Sequence, residues 1–276
     1  MREHILKKNK EKKYVAFWSG GKDCFLSLIL FTNKLQIPRN DLILISFIAN
    51  PINVGDEYNI AVDDIKLLNS HSSYFNCDHL FIVGTSGCPV TEYQSIFKYL
   101  HLKYDIQGCI RGDIFTDPQD FFCKNSERDD CSACAIRCTS PSNINVEITY
   151  PLTGLYAEDL LDLIEKNGLQ AEITQVARQR HRNLLAQRLD LDLLRQSSLY
   201  PSENFDALGE KGNYHTYVYG FNEHRFDHSP TINLDFNTSL WFQVPKTLDF
   251  LSQDNRYELQ IIPTSYSFIF HKLPIN

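Results

Sequence analysis

The sequence lacks any apolar stretch long enough to cross a bilayer as a helix. Its longest apolar runs, residues 25–31 and 42–49, are far shorter than the roughly 20 residues that a membrane-spanning helix needs. An export signal is not apparent either, because the apolar run behind the basic residues 1–13 is confined to residues 14–18, whereas a signal peptide needs about 7 to 15 apolar residues. These features predict a soluble, cytoplasmic protein without a membrane partner.

The sequence also shows no internal repeat, no low-complexity tract and no excess of positive charge. Its 276 residues include 34 Asp and Glu against 27 Lys and Arg, a net charge of −7, which disfavours a protein that coats duplex nucleic acid. Basic residues cluster only in the N-terminal arm and from Arg178 to Arg188, which leaves room for a local contact with RNA or an acidic protein. A hydrophobic content of 43% excludes disorder, and the length suits two globular domains.

Apolar runs and segments of helical spacing alternate through the first half of the chain. Strands are predicted at residues 14–18, 42–49, 80–84 and 106–110, and helices at residues 23–35, 59–73 and 91–104. In the last helix Ile96, Phe97 and Leu100 fall on one face. Continuous apolar runs are typical of strands buried on both faces. The alternation predicts βαβ units, and therefore an α/β fold with a parallel sheet covered by helices on both faces.

The pattern changes after Gly112, where a polar segment rich in Cys, Ser and Asp leads to a predicted strand at 146–150. We place a domain boundary there, with one domain at 1–150 that contains an insertion at 118–145. The remainder, 151–276, is predicted to be a smaller α+β substrate domain. Its predicted helices are 157–166, with a terminator at Gly168, and an arginine-rich segment at 179–196. Its predicted strands are 172–176, 214–221, 241–244 and 258–263.

The most informative segment stands directly between the first predicted strand and the first predicted helix. It consists of Ser19, Gly20, Gly21, Lys22, Asp23 and Cys24. Adjacent glycines let the backbone turn tightly, and the free amide hydrogens at a helix start attract an anion. Lys22 adds positive charge, while Asp23 can cap the helix or help to hold a metal ion that bridges phosphates. An ordinary Gly-Gly turn is the alternative, but the strand-to-helix position favours a site for nucleotide phosphates.

The sequence Ser-Gly-Gly-Lys-Asp after a first buried strand resembles the pyrophosphate loop of the PP-loop ATP pyrophosphatases. It matches neither the Gly-x4-Gly-Lys-Ser/Thr loop nor a dinucleotide fingerprint. The superfamily usually ends this loop with Ser, where this chain has Cys24. The resemblance implies a HUP/Rossmann-like domain that binds ATP with Mg²⁺ and cleaves ATP between its α and β phosphates.

A strand end at residues 111–117 is similar to the corresponding segment of one branch of that superfamily, the diphthine-ammonia ligases. It reads Gly-Asp-Ile and is followed by a further acidic residue. The resemblance implies that Asp113 and Asp117 orient the adenylated group or carry magnesium. The alternative is that both are solvated turn residues, which are common at strand ends.

A second signature of the same branch, Gly-Glu-x-Gly-Glu-aromatic-His/Glu-Thr, is similar to the segment from Gly209 to Thr216. Glu210 and His215 fit this signature, whereas Asn213 stands where the family has Glu. The carboxylate and the imidazole can bind a substrate ammonium or transfer a proton. The resemblance implies that Glu210, Asn213 and His215 line the acceptor or ammonia pocket. A turn carboxylate and a packing histidine are the alternative.

The resemblance as a whole implies an ATP-dependent ligase that forms carbon–nitrogen bonds. Such an enzyme adenylates a carboxylate, releases pyrophosphate and AMP, and transfers ammonia. In the diphthine-ammonia ligases the carboxylate belongs to a modified histidine of a translation elongation factor, so the expected acceptor is a modified protein side chain or a small molecule. No segment looks like a glutaminase domain, and free ammonium is therefore the expected nitrogen donor.

Four cysteines within 16 residues distinguish the insertion from the helix that related proteins have at this place. They are Cys123, Cys131, Cys134 and Cys138. Four thiolates complete a tetrahedral zinc site or hold the corners of an iron-sulfur cluster. Independent thiols or a redox pair are the alternative.

Two other functions stay open at this point. An RNA-thiolating or otherwise RNA-modifying PP-loop enzyme is favoured if the four cysteines hold an iron-sulfur cluster and the arginines near residue 180 contact RNA. A protein that binds ATP or AMP without turnover is favoured by Cys24 and Asn213, which replace the usual residues of the family.

Overall fold

The computed structural model describes residues 13–49, 62–83, 89–114, 146–176, 183–192, 194–195, 208–209, 214–226, 257–261 and 268–272. The helices are α1 (Lys22–Leu35), α2 (Val62–Phe75), α3 (Pro89–Tyr104) and α4 (Ala157–Lys166). The strands are β1 (Lys13–Phe17), β2 (Leu42–Ala49), β3 (Asp78–Val83), β4 (Ile106–Ile110), β5 (Glu147–Thr149), β6 (Gln170–Val176), β7 (Tyr214–Phe221), β8 (His224–Arg225), β9 (Tyr257–Ile261) and β10 (Phe268–Lys272). No helix within these ranges is long and apolar enough to traverse a bilayer.

A seven-stranded sheet in the order β5-β4-β1-β2-β3-β10-β9 forms the centre of the described chain. The strands β5, β4, β1, β2 and β3 run parallel to their neighbours, while β10 and β9 add antiparallel pairs at one side. The predicted α/β class with a parallel sheet is confirmed. The strands β2 and β4 have the predicted bounds, and the other predicted strands of this sheet differ from the structure by one or two residues at an end.

Helices pack on both faces of this sheet. Successive side chains of a strand point to opposite faces, so a continuous apolar strand presents apolar side chains on both. Val15 packs on the α3 side, where Ile96, Phe97 and Leu100 are all buried, as predicted for one helix face. Its neighbour Ala16 points to the opposite side and packs with buried residues of α1 and α2. The sheet is therefore the middle layer of three.

The second half of the chain contributes α4 and a three-stranded antiparallel sheet in the order β6-β7-β8. The helix has the predicted bounds and buries Leu160, Leu161 and Ile164. Gly168 follows it in the left-handed region, with φ +53°, and the amide of Leu169 donates to the carbonyl of Ile164 at 3.0 Å. Such an arrangement ends a helix by satisfying its last carbonyl groups, as predicted for Gly168.

Both halves of the chain share a core and a sheet. Val218 and Phe221 of β7 belong to the same buried apolar cluster as Phe25 of α1. The strands β9 and β10 follow the second sheet in sequence, yet β10 pairs with β3 of the first sheet. Segments on either side of residue 150 are thus interleaved in the fold.

The predicted helix at 179–196 is wrong over residues 183–190. Ala186 has φ +62°, and the backbone around it hydrogen-bonds to β6 through the pairs Ile173 N to Gln187 O and Leu189 N to Ala171 O, each at 2.9 Å. The edge of β6 needs partners for its amide and carbonyl groups, and this pairing outweighs the helical propensity of the segment. Residues 177–182, and the predicted strand at 241–244, lie outside the described residues.

Candidate functional site

The connection between β1 and α1, residues 18–21, is referred to below as the β1–α1 turn. Gly20 has φ +76°, and a Cβ added there would lie 2.6 Å from Leu68 Cδ2 and 2.8 Å from the ring of Tyr217. A Cβ on Gly21 would lie 3.0 Å from the carbonyl oxygen of Thr216. Glycine is therefore required at residue 20 by both the backbone angle and the close approach of two side chains.

Strand β7 of the second sheet runs beside this turn and is bonded to it. The amide of Val218 donates to the carbonyl oxygen of Gly20 at 2.9 Å. The amide of Lys22, in the first turn of α1, donates to Thr216 Oγ1 at 3.2 Å. Gly21 at the helix start provides no side-chain cap of its own, so a hydroxyl from the second half of the chain satisfies one of the amides that a helix start leaves open.

Lys22 and Asp23 form a partly buried ion pair at the start of α1. The ammonium Nζ lies 2.7 Å from Asp23 Oδ2 and 2.9 Å from Oδ1, and the Lys22 side chain is only 4% exposed. Burial raises the pKa of the Asp23 carboxyl, against the effect of Lys22 and of His215, which lower it, while the charge of Asp113 raises it further. The ionised carboxylate thus depends on the neighbouring Lys22 ammonium.

Cys24 contacts the other end of the predicted phosphate segment. Its Sγ lies 3.2 Å from Ser19 Oγ, and that oxygen lies 3.4 Å from the amide nitrogen of Gly21, which donates to it. Burial raises the pKa of the Cys24 thiol despite the hydrogen bonds with Ser19. At neutral pH the side chain is therefore an uncharged thiol, and not a nucleophilic thiolate.

The end of β4 meets the start of α1. A Cβ added to Gly112 would lie 2.9 Å from the amide nitrogen of Cys24, so glycine permits this contact. Arg111 Nε donates to Asp113 Oδ2 at 2.7 Å, and the Arg111 guanidinium lies 4.7 Å from the centroid of the Phe17 ring. Burial opposes the charge of Arg111, but the effects of Asp113, Cys109 and Tyr150 together outweigh it, and the pKa of Arg111 is raised overall. Asp113 is thereby held at the end of the strand beside the helix start.

His215 lies on β7 next to Thr216 and is half-buried. It directly precedes Thr216, whose hydroxyl accepts from the Lys22 amide at the helix start, while Asp113 follows Gly112, which packs against the same helix start. The structure therefore brings three of the predicted segments into one region: the glycine turn with its helix start, the end of β4, and the beginning of β7.

The other predicted site residues lie outside the described part of the chain. They are Asp117, Glu210, Asn213, Cys123, Cys131, Cys134 and Cys138. Gly209, which precedes Glu210, is described: a Cβ there would lie 2.8 Å from the carbonyl oxygen of Tyr214. Within the described ranges, no group of three or more His, Cys, Asp or Glu side chains is arranged to hold a metal ion.

Two side chains near the turn were not predicted as site residues. The ring of Tyr217 covers Gly20, and its pKa lies well above the ordinary value because of burial and the nearby charges of Asp64 and Cys24. Asp64, on α2, is buried. The sequence feature that could have indicated Asp64 is the Asp-Asp pair at 63–64 on a predicted helix. It did not do so, because polar residues on an amphipathic helix ordinarily face solvent.

No protein-family model matches this chain, and a search of curated proteins found no match either.

Proposed function

We propose that the chain is a PP-loop ATP pyrophosphatase with a HUP/Rossmann-like domain, acting as an AMP-forming ligase of the diphthine-ammonia ligase type. The supporting observation is the contact of three segments that are far apart in sequence. Gly112 packs against the start of α1, and Thr216 accepts a hydrogen bond from the amide of Lys22. Each segment belongs to a motif on which the resemblance rests. The first two meet because β1 and β4 are neighbouring parallel strands, but a chance match of motifs would give no reason for the segment of β7 to join them.

In this proposal Ser19 to Cys24 hold the triphosphate of ATP. The amides at the start of α1 and the helix dipole favour negative charge there. Lys22 adds an ammonium group with three N–H donors, so it can donate a hydrogen bond to a phosphate oxygen while it keeps its contact with Asp23. Charge that develops on the departing pyrophosphate is stabilised by the same groups.

The carboxylates near the β1–α1 turn suit Mg²⁺. This ion is usually bound by one or two carboxylates together with substrate phosphates. Asp23 and Asp113 are close enough for the charge of one to raise the pKa of the other, which fits that requirement, and Asp117 is a further candidate ligand. When bound, the ion would neutralise part of the phosphate charge.

The proposed reaction joins a carboxylate and ammonia. An acceptor carboxylate oxygen attacks the α-phosphorus of ATP, the bond from that phosphorus to the bridging oxygen breaks, and pyrophosphate leaves. The nitrogen of ammonia then attacks the acyl carbon, the bond to AMP breaks, and the nitrogen loses a proton. His215 is the proposed proton acceptor, because it adjoins Thr216, which bonds to the start of α1, and Glu210 and Asn213 are proposed to line the acceptor or ammonia pocket.

The test is to measure pyrophosphate and AMP released from Mg-ATP, with ammonium and a panel of carboxylate acceptors that includes a diphthine-bearing elongation factor. Release that requires both acceptor and ammonium supports the ligase. Release that requires RNA but not ammonium would instead support an RNA-modifying enzyme. Lys22→Ala should abolish release, and Lys34→Ala, at an exposed position near the end of α1, is its matched control.

A protein that binds ATP or AMP without turnover is the second candidate. It is favoured by Cys24, whose neutral, partly buried thiol contacts Ser19 in place of a second hydroxyl. A thiol is a weaker hydrogen-bond donor than a hydroxyl. Tight nucleotide binding without pyrophosphate release would support this candidate, and Cys24→Ser would then be expected to restore release.

A further inference from the structure

A hydrogen-bonded connection leads from the interior of the protein to the β1–α1 turn. The amide of Val218 donates to the carbonyl oxygen of Gly20 at 2.9 Å. The carbonyl oxygen of the same Val218 lies 2.8 Å from Nε2 of His71 on α2. Because a carbonyl oxygen only accepts, Nε2 carries the proton and donates it. His71 thus bonds to Val218 of β7, and Val218 bonds to the β1–α1 turn.

Aromatic rings enclose this histidine. His71 has no exposed surface, and the rings of Phe25, Phe226 and Trp18 have their centroids 4.7, 4.4 and 5.9 Å from its own. Its second nitrogen, Nδ1, is buried and has no hydrogen-bond partner. Burial lowers the pKa of His71 to about 3, so the ring is neutral at physiological pH and presents one N–H.

Packing alone does not account for a histidine at this position. A phenylalanine would fill an aromatic pocket without leaving a buried nitrogen unsatisfied, which costs stability. The feature that phenylalanine lacks is the directed N–H at Nε2. Because water is excluded from these surroundings, the carbonyl oxygen of Val218 would have no replacement donor if that N–H were removed.

We propose that His71 is a positioning residue for the phosphate-binding segment: its hydrogen bond to Val218 fixes β7 in the register that places Gly20 and the amide of Lys22. This inference rests on the proposed function, since the geometry of the turn affects activity only if the turn binds phosphates. Two residues along β7, Thr216 accepts from the Lys22 amide. A shift of β7 would therefore move both contacts at once.

Three substitutions separate the hydrogen bond from the packing. His71→Gln retains an N–H donor at nearly the reach of Nε2, His71→Asn is polar but shorter, and His71→Phe fills the space without a donor. Phe75→Leu is the matched control, because Phe75 packs on Trp18 and Phe25 in the same cluster and its side chain cannot hydrogen-bond to β7. Each protein is studied by amide hydrogen exchange and by Mg-ATP binding.

We expect His71→Asn and His71→Phe to speed exchange in peptides that cover residues 18–25 and 214–221, and to weaken Mg-ATP binding by about tenfold, as loss of one buried hydrogen bond implies. His71→Gln should stay within about twofold of the native protein, and Phe75→Leu should lower thermal stability without either local effect. Should His71→Phe fail to fold, the comparison of Gln with Asn carries the same test.

The two proposals can fail separately. Suppose that the native protein binds Mg-ATP, but that His71→Asn and Phe75→Leu show the same amide exchange rates and the same Mg-ATP affinity. The proposed role of His71 is then wrong, and the proposed function is unaffected. If the native protein binds no nucleotide, the proposed function fails, and the exchange data alone decide whether His71 holds the turn.

Discussion

Thr216 Oγ1 accepts a hydrogen bond from the backbone amide of Lys22 at 3.2 Å, across 194 positions of sequence. The amide belongs to the first turn of α1, and the hydroxyl to a strand of the second sheet. A helix start of the first half is thus completed by the second half. This contact ties the integrity of the candidate site to the docking of β7.

Replacing Thr216 by Val removes that hydroxyl with little change of shape. We expect a loss of about 1 to 2 kcal/mol in the free energy of unfolding, because a buried amide loses its acceptor. Thr153→Val is the matched control: Thr153 Oγ1 is buried without a hydrogen-bond partner, so its removal should be neutral or stabilising. Urea denaturation measures both, and equal losses in the two variants would contradict the capping role of Thr216.

Two left-handed glycines allow strain and crowding to be separated. Gly20 and Gly154 have φ +76° and +81°, but only at Gly20 would a Cβ meet other atoms, with nothing within 4 Å at Gly154. Gly154→Ala should lower the free energy of unfolding by about 1 to 2 kcal/mol because of backbone strain. Gly20→Ala should lower it by about 1 to 3 kcal/mol more because of overpacking. Thermal denaturation ranks the stabilities of the two variants. A Gly20→Ala variant as stable as Gly154→Ala would contradict the close packing of Leu68 and Tyr217 against Gly20.

Lys22→Ala should weaken ATP binding by about 1.5 to 3 kcal/mol, through the loss of a charge contact with the phosphates. The same change removes the ion-pair partner of the partly buried Asp23, so the pKa of Asp23 should rise further. Titration calorimetry with Mg-ATP measures the binding. Lys34→Ala should bind as the native protein does, and an unaltered affinity in Lys22→Ala would remove the phosphate assignment.

His71 predicts a pH dependence of stability. Its folded pKa of about 3 lies below its ordinary value of 6.5, so between these values the unfolded chain binds a proton that the folded protein does not. Stability is therefore lost as pH falls from 6.5 toward 3, with a slope from this group of up to about 1.4 kcal/mol per pH unit.

His71→Gln should lack this contribution, and its stability should approach that of the native protein as the pH is lowered. Chemical denaturation at pH 7, 6, 5 and 4 measures the difference. His224→Gln, at an exposed position, controls for removal of a histidine from the surface. A constant difference between His71→Gln and the native protein across this range would contradict the buried, neutral state.

The cysteine cluster predicts bound metal. Native protein purified without chelators should contain about one zinc ion per chain, and the Cys131→Ser, Cys134→Ser double variant none, since both changes remove ligands. Elemental analysis measures the content, with Cys77→Ser as the control outside the insertion. A brown chromophore after anaerobic purification would point to an iron-sulfur cluster, and native protein without metal would end this hypothesis.

Elements that depend on local pattern were predicted well. The continuous apolar run of β2 and the amphipathic spacing of α4 gave correct bounds. A strand buried on both faces requires consecutive apolar residues, and a helix buried along one side requires apolar residues at helical spacing, so both patterns are visible in the sequence. The meeting of the glycine turn with the end of β4 also follows from sequence, since parallel strands present their carboxyl ends at one edge.

Contacts supplied by distant strands were not predictable. Residues 183–190 pair with β6 through backbone groups, and backbone pairing carries no side-chain signature. Likewise, Tyr217 covers Gly20 only because β7 docks beside the β1–α1 turn. The motif that contains Thr216 was recognised by resemblance, but its hydrogen bond to Lys22 required the three-dimensional structure.

The pairing of β10 with β3 has a consequence for biosynthesis. A nascent chain that has already emerged with the β1–α1 turn still lacks β7 and the strand from residues 268–272 that covers β3. Pairings between remote segments form slowly, and an uncovered strand invites association with other chains. We therefore expect ribosome-bound intermediates of this protein to need chaperone protection until translation passes residue 272, and fragments that stop before residue 257 to aggregate.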